Sequence, residues 1–293
     1  MGRPVKKNLW MLMLLGNVLA IHAAQAATHR HHAHHAHRSP MLRLQSHIAL
    51  IYDEHEQRPI YNKNSDLVSP IASITKLMTA MVMLDANLPM NQPVSVDEDS
   101  LNKIRRAKSR LKVGTTLTRS DMLRLALMAS ENRAALALAR SYPGGVPAMV
   151  AAMNAKARVL GMHNTRFYDP TGLDSNNVST AQDLVRMVAA ARGYSVIRQY
   201  TTSSSHTVEG LRGRTVRFSN TNPLVRSTSW EIGISKTGYI HEAGECLVME
   251  AKIRQRPVII VLLDSWGKRT RVGDANRIKH WMETSRELGQ QPG

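Results

Sequence analysis

The chain has 293 residues, 39 lysines and arginines against 22 aspartates and glutamates, a formal net charge of +17, and one cysteine. That length suits one sizeable domain, or one domain with an inserted lobe. A single cysteine excludes an intramolecular disulfide, and aromatics at 4% leave few platforms for stacking bases, so the basicity points away from nucleic acid and towards other polyanions.

Residues 1–26 read as a signal peptide. Arg3, Lys6 and Lys7 make its basic end, Leu9 to Ala20 its apolar core, and Ala24-Gln25-Ala26 a small-x-small cleavage site. The core is short for a membrane span of roughly 20 residues, so cleavage after about Ala26 and export to the periplasm are expected rather than an uncleaved anchor. An exported basic protein meets wall peptides with free carboxylates and anionic lipid headgroups, and loose contact with such a membrane or envelope surface is expected. Residues 27–44 carry His29-Arg30-His31-His32-Ala33-His34-His35-Ala36-His37-Arg38, read as a His-rich flexible linker. Imidazoles can bind transition metals, but the tract lacks the fixed ligand spacing of a structural zinc site. No catalytic metal and no cofactor are expected.

The folded domain is expected over residues 45–288, with a disordered tail at 289–293. His47 to Tyr52 reads as a strand, Asp53-Glu54-His55-Glu56 as a turn and Arg58 to Tyr61 as a returning strand. Helical patterns then dominate from Ser73 to about Arg192, with loops near Asn87, Gly114, Gly144 and Gly172. Strand signals return at Arg214 to Phe218, Ile232 to Ile240, Leu247 to Ile253 and Val258 to Leu263, and a last helix is expected over Arg271 to Leu288. Strands at both ends of the chain around a helical middle imply an α+β domain with an inserted helical lobe.

Three short motifs carry chemistry. Ser73-Ile74-Thr75-Lys76 opens a run in which Ile74, Leu77, Met78, Met81 and Leu84 recur at helical spacing after Pro70. Residues three apart share a helix face, so the Ser73 hydroxyl and the Lys76 amine can meet, and the helix N-terminus favours a developing anion. Ser130-Glu131-Asn132 falls at a break between the apolar patterns Asp121–Ala129 and Ala134–Ala139, where a loop presents polar side chains. Lys236-Thr237-Gly238 lies inside a strand-like run, and glycine there marks close approach of another backbone or a ligand.

The looser patterns recur elsewhere. Ser100-x-x-Lys103 and Ser109-x-x-Lys112 lie in a basic stretch (Lys103, Arg105, Arg106, Lys108, Arg110, Lys112) with no apolar face to bury a lysine. That stretch reads as a solvated loop, or as a contact for an anionic envelope polymer beside the Ser130 loop. Ser175-Asn176-Asn177 follows the turn-rich Asp169-Pro170-Thr171-Gly172-Leu173 and reads as a surface connection. Cys246, in the apolar run Cys246-Leu247-Val248-Met249, reads as a small buried core residue.

Pro70–Ala80, Met128–Ala135 and Ser235–Ile240 together resemble the low-molecular-weight penicillin-binding proteins, and within them the D-alanyl-D-alanine endopeptidase branch. Asp169–Leu173, Asn220–Leu224 and Glu242–Val248 extend the resemblance, which spans roughly residues 45 to 285. It implies a penicillin-binding, β-lactamase-like domain with a five-stranded antiparallel sheet. It implies catalysis by Ser73, Lys76 and Ser130, with Ser73 as nucleophile, a neutral Lys76 as base and Ser130 as proton relay. Burial and the charge of Lys236 are expected to lower the Lys76 pKa.

Substrate binding is implied for Asn132, Lys236, Thr237 and Gly238, the glycine letting a substrate strand lie against the sheet edge. The backbone N–H groups of Ser73 and Tyr239 are implied as oxyanion donors. The implied partners are peptidoglycan peptides, with β-lactams as covalent inhibitors. The distance from Gly238 to the chain end is too short for the C-terminal β-rich domain and anchor helix of the membrane-bound carboxypeptidases. No Glu-x-x-Leu-Asn follows the second motif, so fast β-lactam hydrolysis is not expected. Cleavage of peptide cross-links is the preferred reaction, on the Tyr239-Ile240 context and the short C-terminus. A DD-carboxypeptidase trimming terminal D-alanine is one alternative, and an exported His-rich metal- or wall-polymer-binding protein without catalysis is another.

Overall fold

Strands from the two ends of the chain meet in one sheet. The protein is described by a computed structural model over residues 1–2, 42–98 and 109–285. The expected signal peptide from residue 3, the His-rich tract, residues 99–108 of the basic stretch and the expected tail lie outside the described residues. In chain order the strands are β1 (Ile48–Asp53), β2 (Arg58–Lys63), β3 (Ser69–Pro70), β4 (Pro93–Ser95), β5 (Thr116–Thr118), β6 (Val178–Ser179), β7 (Ser205–Glu209), β8 (Thr215–Ser219), β9 (Glu231–Ile240), β10 (Gly244–Ile253) and β11 (Arg256–Ser265). The helices are α1 (Lys76–Asp85), α2 (Arg119–Met128), α3 (Asn132–Arg140), α4 (Gly145–Val159), α5 (Ala181–Ala191), α6 (Ser195–Thr201) and α7 (Thr270–Thr284).

The main sheet has five strands in the order β2-β1-β11-β10-β9, all neighbours antiparallel. Its central strands read as unbroken apolar runs because both faces are covered. Side chains alternate between faces along a strand. Ile48, Leu50, Val248, Ile259 and Val261 therefore enter one core, while Ala49, Ile51, Met249, Ile260 and Leu262 enter the other. Helix α7 covers the second face with Ala275, Ile278 and Met282, spaced three and four apart on one side of the helix. The inserted lobe covers the first face through α5 and α6, using Leu184, Met187, Val188 and Ile197, with α1 packed behind them. Each such fully buried side chain contributes roughly 1.5–3 kcal/mol.

Helix α1 is the lobe's central rod, buried from Lys76 to Met83. Side-chain caps start its neighbours: Thr118 accepts from the Asp121 N–H at α2, and Thr180 from the Asp183 N–H at α5.

Two features differ from the pattern read in the sequence. The stretch expected to be helices and loops also contains β4 paired with β5, and β6 paired with β3 just ahead of it, strands of two or three residues, too short to display an alternation. Strand β7 pairs with β8 as a separate hairpin and was likewise not anticipated. The other expected strands are present, β1 and β8 shifted by one residue and the rest extended by their ladders, and the last helix ends at Thr284.

Candidate active site

Ser73 sits in a single turn of 3-10 helix, Ala72–Thr75, and α1 begins only at Lys76. The turn keeps Ser73 and Lys76 three residues apart, and Lys76 Nζ lies 2.7 Å from Ser73 Oγ. Entering this turn forces Ala72 to a φ of 46°, a left-handed conformation unusual for alanine. Strain of that kind is held only where the surroundings over-determine the backbone. Gly172 and Gly238 supply those surroundings. A Cβ on Gly172 would stand 1.9 Å from the Ala72 oxygen, and one on Gly238 would stand 3.0 Å from the Ile71 oxygen and 3.1 Å from Ser73 N. The glycine of the third motif thus admits the backbone of the Ser73 turn, a closer approach than the substrate strand anticipated for it.

Lys76 is 1% exposed and its amine has three oxygen neighbours: Ser73 Oγ at 2.7 Å, Asn132 Oδ1 at 2.7 Å and the Thr171 carbonyl at 2.6 Å. Two of these, the amide and carbonyl oxygens, can only accept. Ser73 can also donate. A neutral amine, with two hydrogens and one lone pair, satisfies this set by donating twice and accepting the Ser73 hydrogen. Burial lowers the Lys76 pKa to about 7, opposed by the negative charges of Asp169 and Glu131. The expected role for the Lys236 charge does not stand out here, since burial governs the shift. The repulsion between the two lysines falls on Lys236, whose pKa is held well below its ordinary value by burial, then by Lys76 and Arg271.

Ser130 occupies the break between α2 and α3 at a φ of 57°. Glu131 caps α3 through the Arg133 N–H, and Asn132 is that helix's first residue. Lys236 Nζ donates to Ser130 Oγ at 2.9 Å and to its neighbour's carbonyl, Thr237 O, at 2.7 Å. Since Ser130 Oγ accepts from a lysine, its own hydrogen is free for another acceptor. The Thr237 hydroxyl donates to Thr221 Oγ1 at 2.6 Å, tying β9 to the loop after β8. Tyr239, two residues further along β9, is 60% exposed.

Several residues of this assembly were not anticipated. Thr171, whose carbonyl holds Lys76, lies in a turn organised by Asp169, which accepts from the N–H groups of Thr171 and Gly172. Asn177, read as part of a surface connection, is fully buried. Its amide oxygen accepts from the N–H groups of Tyr168 and Asp169, and its nitrogen donates to Thr75 Oγ1 and the Asp169 carbonyl. The only hint in the sequence was the turn composition of residues 169–173. Arg271, on α7, donates to Gly238 O at 2.7 Å and Cys246 O at 3.1 Å and pairs with Glu245, bracing β9 from behind.

The decoy motif separates cleanly. Ser109 Oγ bonds its own turn at Leu111, and Lys112 is exposed. Ser100 and Lys103 lie outside the described residues. Cys246 is fully buried, and burial pushes its thiol up to about 12, as befits a core residue.

This sheet-and-lobe fold, with its Ser73–Lys76 contact and the Ser130–Lys236 contact between lobe and sheet, is that of the serine penicillin-binding peptidases; residues 33–267 match the D-alanyl-D-alanine carboxypeptidase family, and the chain belongs to it. It is similar to the D-alanyl-D-alanine endopeptidase of Pseudomonas aeruginosa, 50% identical over 244 residues that make up 82% of this chain and 78% of the relative. The D-alanyl-D-alanine endopeptidase of Escherichia coli is 46% identical over 241 residues, again 82% and 78% of the two chains. Among solved structures, penicillin-binding protein D2 of Listeria monocytogenes in its ampicillin-bound form superposes with a TM-score of 0.69 at 28% identity, covering 83% of this chain and 98% of that one.

Proposed function

We propose that this protein is a serine D-alanyl-D-alanine endopeptidase that hydrolyses peptide cross-links of peptidoglycan through a Ser73 acyl-enzyme. One observation carries the reading: the buried Lys76 amine, 2.7 Å from Ser73 Oγ, whose two other neighbours can only accept hydrogens. Lys76 takes the Ser73 proton as Oγ attacks the D-alanyl carbonyl carbon. The N–H groups of Ser73 and Tyr239 meet the oxyanion; the close packing of Gly238 on the Ser73 turn supports this pairing. The carbon–nitrogen bond then breaks, and the leaving nitrogen takes a proton from Ser130, replenished from Lys76. Water hydrolyses the ester and restores Ser73.

Lys236, Thr237 and the Arg271 charge behind them form a cationic pocket for a carboxylate beside the leaving nitrogen. A bound carboxylate supplies the counter-charge that buried Lys236 lacks and raises its pKa towards the ordinary range. Asn132 is placed to hold the substrate backbone while positioning Lys76. Residues 1–26 are read as directing export to the periplasm, residues 27–44 as a His-rich spacer ahead of the catalytic domain, and β-lactams as covalent inhibitors of Ser73.

The endopeptidase preference draws on relatives of that name. The same cationic pocket would also accept a chain-terminal carboxylate, which keeps DD-carboxypeptidase activity as the second reading. Incubation with cross-linked sacculi, with a purified cross-linked dimer and with a monomeric pentapeptide distinguishes them. Loss of cross-links from sacculi or dimer is expected. Release of D-alanine from the pentapeptide with cross-links intact would overturn the endopeptidase reading.

A further inference from the structure

We infer that the 109–114 loop and the β7–β8 hairpin form one basic ridge on which the carboxylate-bearing wall polymer docks before a cross-link enters the cleft; this rests on the endopeptidase reading. Arg110 and Lys112 on the loop and Arg212, Arg214 and Arg217 on the hairpin are all exposed. The two segments are fastened together. The Arg110 guanidinium donates to the Arg217 carbonyl at 2.7 Å and lies 4.6 Å from the centre of the Phe218 ring. Leu211 at the hairpin tip rests on Gly114, its Cδ1 3.5 Å from where a Cβ would stand.

What distinguishes these cations is their grouping on two fastened segments beside the cleft. Elsewhere Arg192 pairs with Glu54, Arg256 with Asp53, Lys156 with Asp85 and Arg271 with Glu245. Among the described residues no carboxylate comes within ion-pair distance of the five ridge cations, and the hairpin itself holds one acidic residue, Glu209. Five cations without an ion-pair partner, carried on two linked segments, create a local positive potential. Stability alone would favour interspersed signs.

The ridge begins at the rim of the cleft. Arg133, the residue after Asn132, donates to the Leu111 carbonyl at 2.5 Å, hooking the basic loop onto the Ser130–Asn132 segment. At the other end β8 runs into Thr221, whose hydroxyl accepts from Thr237. A polymer lying along the ridge therefore leads its peptide between Ser130 and β9. That continuity favours the wall polymer, with its repeated stem-peptide carboxylates, over a lipid surface. Guanidinium groups hold carboxylates through paired hydrogen bonds, and the exposed setting makes the attraction sensitive to salt.

The test uses the mature protein and the variant Lys112→Glu/Arg212→Glu/Arg214→Glu, whose three side chains make no hydrogen bond among the described residues. Co-sedimentation with purified sacculi is measured at low and high salt, beside the rate of acylation by a fluorescent penicillin. Retention of the variant on sacculi is expected to fall about tenfold or more at low salt, and that of the wild type to fall at high salt, with penicillin acylation unchanged in both. The charge-preserving variant Lys112→Arg/Arg212→Lys/Arg214→Lys should bind like the wild type. Equal sedimentation of the reversed variant would overturn the ridge, as would a parallel loss of penicillin acylation. Ridge-dependent binding to phosphatidylglycerol vesicles with sacculus binding unaffected would also overturn it, in favour of a membrane surface. Wild-type binding to sacculi without cleavage would contradict the endopeptidase reading while supporting the ridge.

Discussion

The Gly172 backbone lies against the Ala72 carbonyl so closely that a single added carbon would stand 1.9 Å from that oxygen. The contact joins the turn that supplies Thr171 to the turn that supplies Ser73, and Gly172 itself has a φ of 81°. Gly172→Ala must therefore move one turn or the other, and it is strained at its own φ as well. Penicillin acylation should fall at least about tenfold, equivalent to roughly 1.4 kcal/mol of transition-state stabilisation, together with a lower melting temperature. Acylation at the wild-type rate would mean that the two turns are not rigidly coupled.

Lys76→Arg keeps a positive charge but cannot serve as a base near neutral pH, since guanidinium stays protonated. Acylation should drop by orders of magnitude, with a far-ultraviolet circular dichroism spectrum like that of the wild type. Lys112→Arg, in the decoy motif, should leave the rate unchanged. If Lys112→Arg matched the loss at Lys76, the active serine would be misassigned.

The pH dependence follows from the Lys76 pKa of about 7. Below that value the amine is protonated and cannot accept the Ser73 hydrogen, so acylation should rise with pH through about 7 and level off above. Between about 7 and its unfolded value near 10.4 the unfolded chain binds the extra proton, so this group's contribution to stability rises with pH across that window. Below about 7 the cost of burying the ammonium is felt in full. A stopped-flow acylation profile checks the first statement, and urea midpoints of wild type against Lys76→Met check the second. A rate that fell across neutrality would contradict the assignment of the base.

Asn177→Ala removes a buried amide that holds the Tyr168–Asp169 backbone against Thr75. Leaving those donors without a partner should cost about 2–3 kcal/mol, seen as a lower urea midpoint at unchanged slope. Because Asn177 acts through Thr171 on Lys76, the acylation midpoint should also move away from pH 7. An unmoved pH profile would make the residue's role purely structural.

How far the sequence could be read depends on the distance between partners. The sheet strands were legible because β1, β10 and β11 are buried on both faces and appear as long apolar runs. Ser73 and Lys76 were legible because their contact is three residues long. Thr171 meets Lys76 across 95 residues and Asn177 meets Thr75 across 102, and no local period encodes such contacts. Asn177 also sits among aspartate, serine and glycine, a composition shared by solvated turns and by buried polar hubs. Arg271 was hidden for a related reason: α7 packs behind the sheet, so its reach to Gly238 follows from topology. The role of Gly238 changed as well, since the backbone that approaches it belongs to the Ser73 turn.

The central claim, that Ser73 is acylated with Lys76 as its base, is tested most directly by intact-protein mass spectrometry after incubation with a penicillin. The account predicts one adduct of the penicillin's full mass on the wild type, mapped to the peptide containing Ser73, and none on Ser73→Ala. Chelator should not change the adduct. An adduct that persists in Ser73→Ala, or that maps to Ser109 or Ser130, would contradict it.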